Sequence, residues 1–220
     1  MIEQIALERG HSITAKIDLG SQGVPYGSMD VAIDFSIPEA AFDNIANCFE
    51  NGVPVISGTT GWLGRYPEAV ALCEAQKGAF IHATNFSLGV NIFFELNAQL
   101  ARMMSQLEAY RVSMEEIHHT QKLDAPSGTA ITLAEGIIAN SSYRDWHLDG
   151  AAAGSIPIKS IREGNVPGTH GVVYESALDR IEIKHSAHNR EGFALGAVVA
   201  AEWIQGKTGV YSMKDVLQLK

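Results

Sequence analysis

The sequence predicts an α/β protein in two parts: a parallel sheet covered by helices in its first third, and a mixed or antiparallel sheet beyond it. Three observations carry this. Segments of helical and strand period alternate from residue 2 to residue 86. Apolar runs such as Val31-Ala32-Ile33 are continuous, as in strands covered on both faces. After Phe86 the order changes to strands joined by loops such as Gly164-Asn165-Val166-Pro167-Gly168.

Ile2, Ile5, Ala6 and Arg9 step at helical spacing, and Gly10 supplies a stop. Ile13, Ala15 and Ile17 alternate as a strand ending at Asp18, and Gly20 to Gly27 reads as loop. Ser36-Ile37-Pro38-Glu39 is a helix start, with Ser36 as a cap and Pro38 near the first turn. Phe42, Ile45, Ala46 and Phe49 form its buried stripe, and Gly52 closes it. Strands at Val53–Ile56 and Phe80–Ala83 flank a helix at Pro67–Gln76. A long helix follows over about Asn91–Leu107. Then come strands at Arg111–His119, Ile156–Arg162, Thr169–Glu175 and Arg180–Ser186, with one helix over Thr129–Ala139. Phe193–Ile204 is again helical, and Met213–Leu217 is a last turn.

With 46% apolar and 19% charged residues, the chain buries a real core and is not disordered. The longest nearly apolar stretch, Gly192–Ile204, is broken by Glu202 and is too short to span a membrane. The start, Met1-Ile2-Glu3-Gln4, has no basic region and is no secretory signal. Cys48 and Cys73 make no disulfide framework and read as reduced thiols, so a cytoplasmic location is expected. A net charge of −9 without a Lys/Arg cluster argues against nucleic acid or an anionic membrane surface as partner.

The densest polar cluster runs from Glu115-Glu116-Ile117-His118-His119 through Thr120-Gln121-Lys122-Leu123-Asp124 to Ala125-Pro126-Ser127-Gly128-Thr129. In a strand, His118 and His119 point to opposite faces and take separate roles. Lys122 stands in the loop where that strand ends. The Ser127-Gly128-Thr129 helix start offers N–H groups and hydroxyls suited to a carboxylate or phosphate. Together these suit proton donation onto an anionic substrate. A His-His pair alone is more often ordinary surface or core histidine; the lysine and the helix start tip the balance. Zinc is the competing reading, since His82, His118, His119, His170, His185 and His188 could converge. No H-E-x-x-H or paired-cysteine spacing supports it, and no metal is expected. Asp18 closes a strand, where an acid can accept hydrogen bonds from a ribose diol, or merely cap a turn. Gly58-Thr59-Thr60-Gly61 also follows a strand, where glycines admit a ligand or simply turn the chain.

Taken together, these segments resemble the dihydrodipicolinate (4-hydroxy-tetrahydrodipicolinate) reductase family over essentially the whole chain. The most specific element is His118-His119-x-x-Lys122-x-Asp124-Ala125-Pro126-Ser127-Gly128-Thr129-Ala130, which looks like the family signature. Supporting it are Gly58-Thr59-Thr60-Gly61, Asn85-Phe86-Ser87-x-Gly89-Val90-Asn91, Arg162-x-Gly164 with Gly168-x-His170, and the segment from His185 to Arg190. The resemblance implies a Rossmann-type dinucleotide-binding domain from residues 1–86 and 190–220. Residues 87–189 would be an inserted α+β domain for substrate binding and oligomerisation, and the assembly a homotetramer. It implies His118 as proton donor or acceptor and Lys122 as proton donor. It implies His119, Ser127, Gly128 and Thr129 as holders of a small cyclic dicarboxylate. Asp18, Gly58, Thr59, Thr60, Ala83, Thr84, Asn85 and Phe86 would contact NADH or NADPH. NADH is favoured, because Asp18 repels a 2′-phosphate and Leu19 follows where a compensating arginine would stand.

The departures set further expectations. The family's first strand and G-x-G-x-x-G turn have no counterpart here, and residue 1 falls inside the helix that should follow. Weak dinucleotide binding is therefore expected, and the alternative function is a cofactor-deficient, non-catalytic form that still folds and oligomerises. Thr120 and Gln121 stand where relatives commonly carry basic residues, which would thin the positive field at the substrate. Another NAD-linked dehydrogenase with the same plan is disfavoured by the Lys122–Thr129 block.

Overall fold

The structure, a computed structural model, describes residues 1–18, 20–21, 23–150 and 152–219. It divides into two compact units, one of Met1–Leu88 with Glu191–Lys220 and one of Gly89–Arg190. No helix among the described residues is long and apolar enough to cross a membrane.

The first unit holds a parallel sheet of order β1-β2-β3-β9, from Ala32–Asp34, Val55–Ser57, Ala79–His82 and Gly209–Tyr211. Successive side chains of a strand face opposite ways, so each strand feeds two cores. Val55 and Phe80 pack against Ala41, Ile45 and Phe49 of α2 (Pro38–Glu50) and Ala69 and Cys73 of α3 (Tyr66–Ala75). Ile56, Ala79 and Ile81 pack against Ala197, Ala200 and Ile204 of α6 (Glu191–Ile204) and Met213 and Val216 of α7 (Met213–Val216). Coverage on both faces is why β2 is buried throughout. The amino-terminal helix α1 (Ile2–Glu8) adds Ile2 to that second layer.

The second unit is a mixed five-stranded sheet of order β5-β6-β4-β7-β8. Its strands are β4 (Arg111–His118), β5 (Asp145–Leu148), β6 (Ser155–Arg162), β7 (Thr169–Glu175) and β8 (Arg180–Ser186). β4 runs parallel to β6 and antiparallel to β7. Phe93, Ala101 and Met104 of α4 (Leu88–Met104) and Ala130, Leu133, Ala134 and Ile137 of α5 (Gly128–Ile138) cover one face. On that face the register lines up Ile158, Met114, Val172 and Ile183 as an apolar row. One step along, it lines up Ser160, Glu116, His170 and His185. The core thus turns polar toward the carboxyl end of β4.

The α/β class and the mixed second sheet agree with the sequence. Two local readings do not, and two strands go unread. Ile13–Ile17 is not a strand, because a strand needs a neighbouring backbone and no described ladder reaches this segment. Ser36 does not cap α2; Ile37 is the N-cap and Ser36 accepts from Asn44 instead. β5 and β9 carry little periodic signal and become strands by pairing with β6 and β3.

Candidate active site

β4 buries alternate residues, so Glu116 and His118 share the inward face and the loop from His119 onward leaves it. Glu116 is fully buried. Ser127 N–H donates to both of its oxygens at 3.0 and 3.2 Å, and Ser160 Oγ donates at 2.7 Å. Arg162 Nη2 donates to Oε1 at 3.3 Å. His118 Nδ1 and His170 Nε2 lie 3.6 and 3.7 Å from its other oxygen. Burial pushes this carboxyl up, but the adjacent His170 and the donors Ser127 and Ser160 outweigh it and hold it well below the usual carboxylate range.

His118 is 6% exposed, and its ring meets that of His170 edge-on at 5.0 Å between centroids. Burial, then the neighbouring His170, push its imidazole down to about 4, against a partial lift from Glu116. It is therefore neutral at pH 7. His119 is half-buried, with Arg190 Nη2 at 3.4 Å from its Nε2. Lys122 Nζ donates to both Asp124 oxygens at 2.7 Å, which lowers the Asp124 carboxyl. Arg162 reaches back to the same loop, donating to the Lys122 and Asp124 carbonyls at 3.3 and 2.6 Å.

Ser127 caps α5, accepting Ala130 N–H at 3.2 Å, and its hydroxyl also lies 3.1 Å from His170 Nε2. That hydroxyl is engaged inside the protein, so Ser127 shapes the turn. Gly128 and Thr129 open the helix and are exposed and half-buried. Of the six histidines behind the zinc reading, His118 and His170 join Glu116 with ligand atoms within 4.8 Å of one another. The carboxylate already accepts from three residues, one a guanidinium, and this donor set suits a hydrogen-bonded network better than a dication.

In the first unit, Gly58–Thr60 and Ala83–Phe86 follow β2 and β3 at the carboxyl edge of the parallel sheet, where such sheets hold ligands. Thr59 is buried: its hydroxyl donates to Asp34 Oδ2 at 2.8 Å and accepts Ser36 N–H at 2.8 Å. It holds the loop in place, while Thr60 and Thr84 are exposed and Asn85 Oδ1 accepts Ser87 N–H at 2.9 Å. Phe86 is buried beneath Phe35, ring centroids 5.7 Å apart. Asp18 is exposed in a turn closed by Ser21, whose hydroxyl accepts Asp18 N–H at 2.9 Å. Leu19, on which part of the cofactor expectation rests, lies outside the described residues.

The profile described as dihydrodipicolinate reductase, N-terminus, matches residues 6–86, and that of the C-terminus matches residues 89–217. The 4-hydroxy-tetrahydrodipicolinate reductase of Christiangramia forsetii is 57% identical over 219 residues, covering 98% of this chain and 92% of that one. The chain belongs to the dihydrodipicolinate reductase family. Membership makes it an oxidoreductase. The Neisseria gonorrhoeae reductase of the same name is 36% identical, covering 99% of this chain and 84% of its own. Among solved structures, the dipicolinate-bound dihydrodipicolinate reductase of Paenisporosarcina sp. TG-14 superposes with a TM-score of 0.72 at 25% identity. That match covers 83% of this chain and 71% of the other.

Asp34, Glu116 and Arg162 receive no role from the sequence, and His170 only a place among the histidines of the zinc reading. Glu116 was within reach, since two residues before His118 in a strand means the same face. Asp34, which also accepts Ser57 Oγ at 2.8 Å, carries no motif and shows itself only through its partners.

Proposed function

We propose that this chain reduces 4-hydroxy-tetrahydrodipicolinate to tetrahydrodipicolinate with NADH or NADPH, a step of the diaminopimelate route to lysine, in the cytoplasm. The observation that carries the reading is the grouping of Lys122, the α5 start and the buried His118 around Glu116 and Arg162 in the unit matched by the family's C-terminal profile. The first unit is read as the dinucleotide-binding domain. Gly58, Thr60, Ala83, Thr84 and Asn85 fit a nicotinamide dinucleotide, as small or polar groups in the loops that follow parallel strands, and the exposed Asp18 is read as their partner on the adenosine ribose. Thr59 and Phe86 support those loops from beneath. When bound, the reduced nicotinamide supplies the hydride.

The chain's own residues do the rest. Loss of water from the substrate leaves a conjugated C=C–C=N ring; with the nicotinamide bound, the C=C would take a hydride at its outer carbon and a proton at the carbon next to the imine, so that the C=N remains. Lys122 gives that proton from Nζ, leaving its contact with Asp124. His118, neutral at pH 7, accepts or relays a proton. His119, Gly128 and Thr129 hold the carboxylates, where aligned N–H groups offset their charge. Asp18 favours NADH by about tenfold in kcat/KM, through repulsion of the 2′-phosphate; a ratio near one counts against that role. The outward face of the second unit's sheet, with Ser113, Thr169, Val173 and Lys184 along it, is read as the surface that builds a homotetramer.

Replacing Lys122 by Ala lowers kcat by roughly 10²–10⁴ in an assay of NADH oxidation with aldolase-generated substrate. Near-normal turnover would sink its role. Calorimetric titration of NADH separates this reading from the cofactor-deficient one: micromolar affinity favours the reductase, and no heat favours the alternative.

A further inference from the structure

We propose that Glu116 is a positioning residue: its buried carboxylate, paired with Arg162, clamps the segment from Lys122 to Ser127 so that the proton donor and the α5 start are held beside His118. The inference rests on the reaction proposed above.

A carboxylate with no exposed surface is costly unless donors surround it. Glu116 sits where the preceding inward positions of β4 are Val112 and Met114, so an apolar residue would fit the strand pattern. What the carboxylate adds is a set of links. Ser127 N–H, at the helix end of the segment, donates to both oxygens. Arg162 binds the other end, since Nη2 bridges Glu116 Oε1 at 3.3 Å and the Asp124 carbonyl at 2.6 Å while Nε reaches the Lys122 carbonyl at 3.3 Å. Ser160 Oγ, one register step from Arg162 on β6, completes the acceptor's partners at 2.7 Å.

The charge and the fork are both needed. A glutamine at 116 turns an amide NH₂ toward Ser127, Ser160 or Arg162, each already a donor, so at least one contact becomes donor against donor. A lysine at 162 keeps the positive charge but, as a point charge on a flexible stem, cannot span Glu116 and two carbonyls at once. Glu116 itself touches no reacting atom in this scheme. It acts through Lys122 and the helix start, and a misplacement on the order of 1 Å there is enough to slow the reaction by orders of magnitude.

The test compares wild type with Glu116→Gln, Arg162→Lys and, as a control in the exposed loop before β4, Glu108→Gln. Each is measured for the dissociation constant of pyridine-2,6-dicarboxylate by calorimetry, for kcat and its solvent deuterium isotope effect, and for thermal unfolding. The expected result is a cooperative melt, with probe affinity and kcat each reduced about tenfold or more and an enlarged isotope effect, in E116Q and R162K only. The enlarged isotope effect separates misaligned proton delivery from loss of folded protein, which scales kcat and leaves the isotope effect alone. Wild-type affinity and isotope effect in folded variants overturn the inference, as does a kcat loss that merely tracks the unfolded fraction. If E116Q does not fold, R162K alone supports or overturns the inference on the same criteria. A wild-type chain that neither binds the probe nor turns over overturns the proposed reaction and the inference with it; a competent wild type beside unaffected variants overturns the inference alone.

Discussion

Replacing Gly196 by Ala tests how closely α6 lies against the loop that leaves β3. A Cβ built at Gly196 falls 1.7 Å from the Phe86 carbonyl oxygen and 2.7 Å from its carbon. An ordinary carbon–oxygen contact is about 3.3 Å, so helix or loop must move by on the order of 1.5 Å. The obstacle is backbone, which has no rotamer to change, and both sides are packed: Phe86 is 2% exposed and Ala197 fully buried. Overpacking of this kind costs about 1–3 kcal/mol or more, against ~1 kcal/mol gained from replacing a helical glycine with alanine. A clash this deep with backbone belongs at the upper end of that cost, so the expected net loss is about 2 kcal/mol, read as a lower urea midpoint at unchanged slope. Trp62 and Trp203, both in the first unit, report it by fluorescence. Gly58→Ala is the internal control. Its Cβ would meet the Phe35 ring at 2.2 Å, but that ring is 50% exposed and free to swing, so a loss below ~1 kcal/mol is expected. A Gly196→Ala chain as stable as wild type, or more stable, would refute the close approach.

Thr59→Val removes a donor to Asp34 and the acceptor of Ser36 N–H while preserving shape, and is expected to destabilise the first unit by ~2–3 kcal/mol in urea unfolding. A change under ~0.5 kcal/mol would mean the hydroxyl is not a structural anchor. His118 gives a pH dependence. Its imidazole is at about 4 when folded against 6.5 when free, so the unfolded chain binds more protons between those values. The stability of the neutral, buried ring is present in full above about pH 6.5 and is lost as pH falls toward 4. A ring-proton NMR titration should show a midpoint near 4, and His118→Asn should lose less stability over that window than wild type. A midpoint near 6.5 would mean the ring is not desolvated.

Amino-acid order alone determined what depends on neighbours in sequence. The helix over Pro38–Glu50 and the strands at Arg111–His118 and Thr169–Glu175 follow from periods of 3.6 and 2, and the block from His118 to Thr129 marks the chemistry because its members lie close along the chain. The failures share one cause. Ile13–Ile17 has the alternation of a strand yet pairs with no strand among the described residues, and Gly209–Tyr211 has almost no pattern yet pairs with β3. Register, too, is invisible locally. Glu116 looks like one of two adjacent acids until pairing sets Ser160 on one side of it and His170 on the other. Ser127 reads as part of a helix start, and only folding sets its hydroxyl beside His170, 43 residues away. Sequence periodicity decides which face a residue takes, because backbone geometry alone sets it. Only the tertiary structure decides what waits on that face, because desolvation and hydrogen bonding act on atoms the chain brings together from afar.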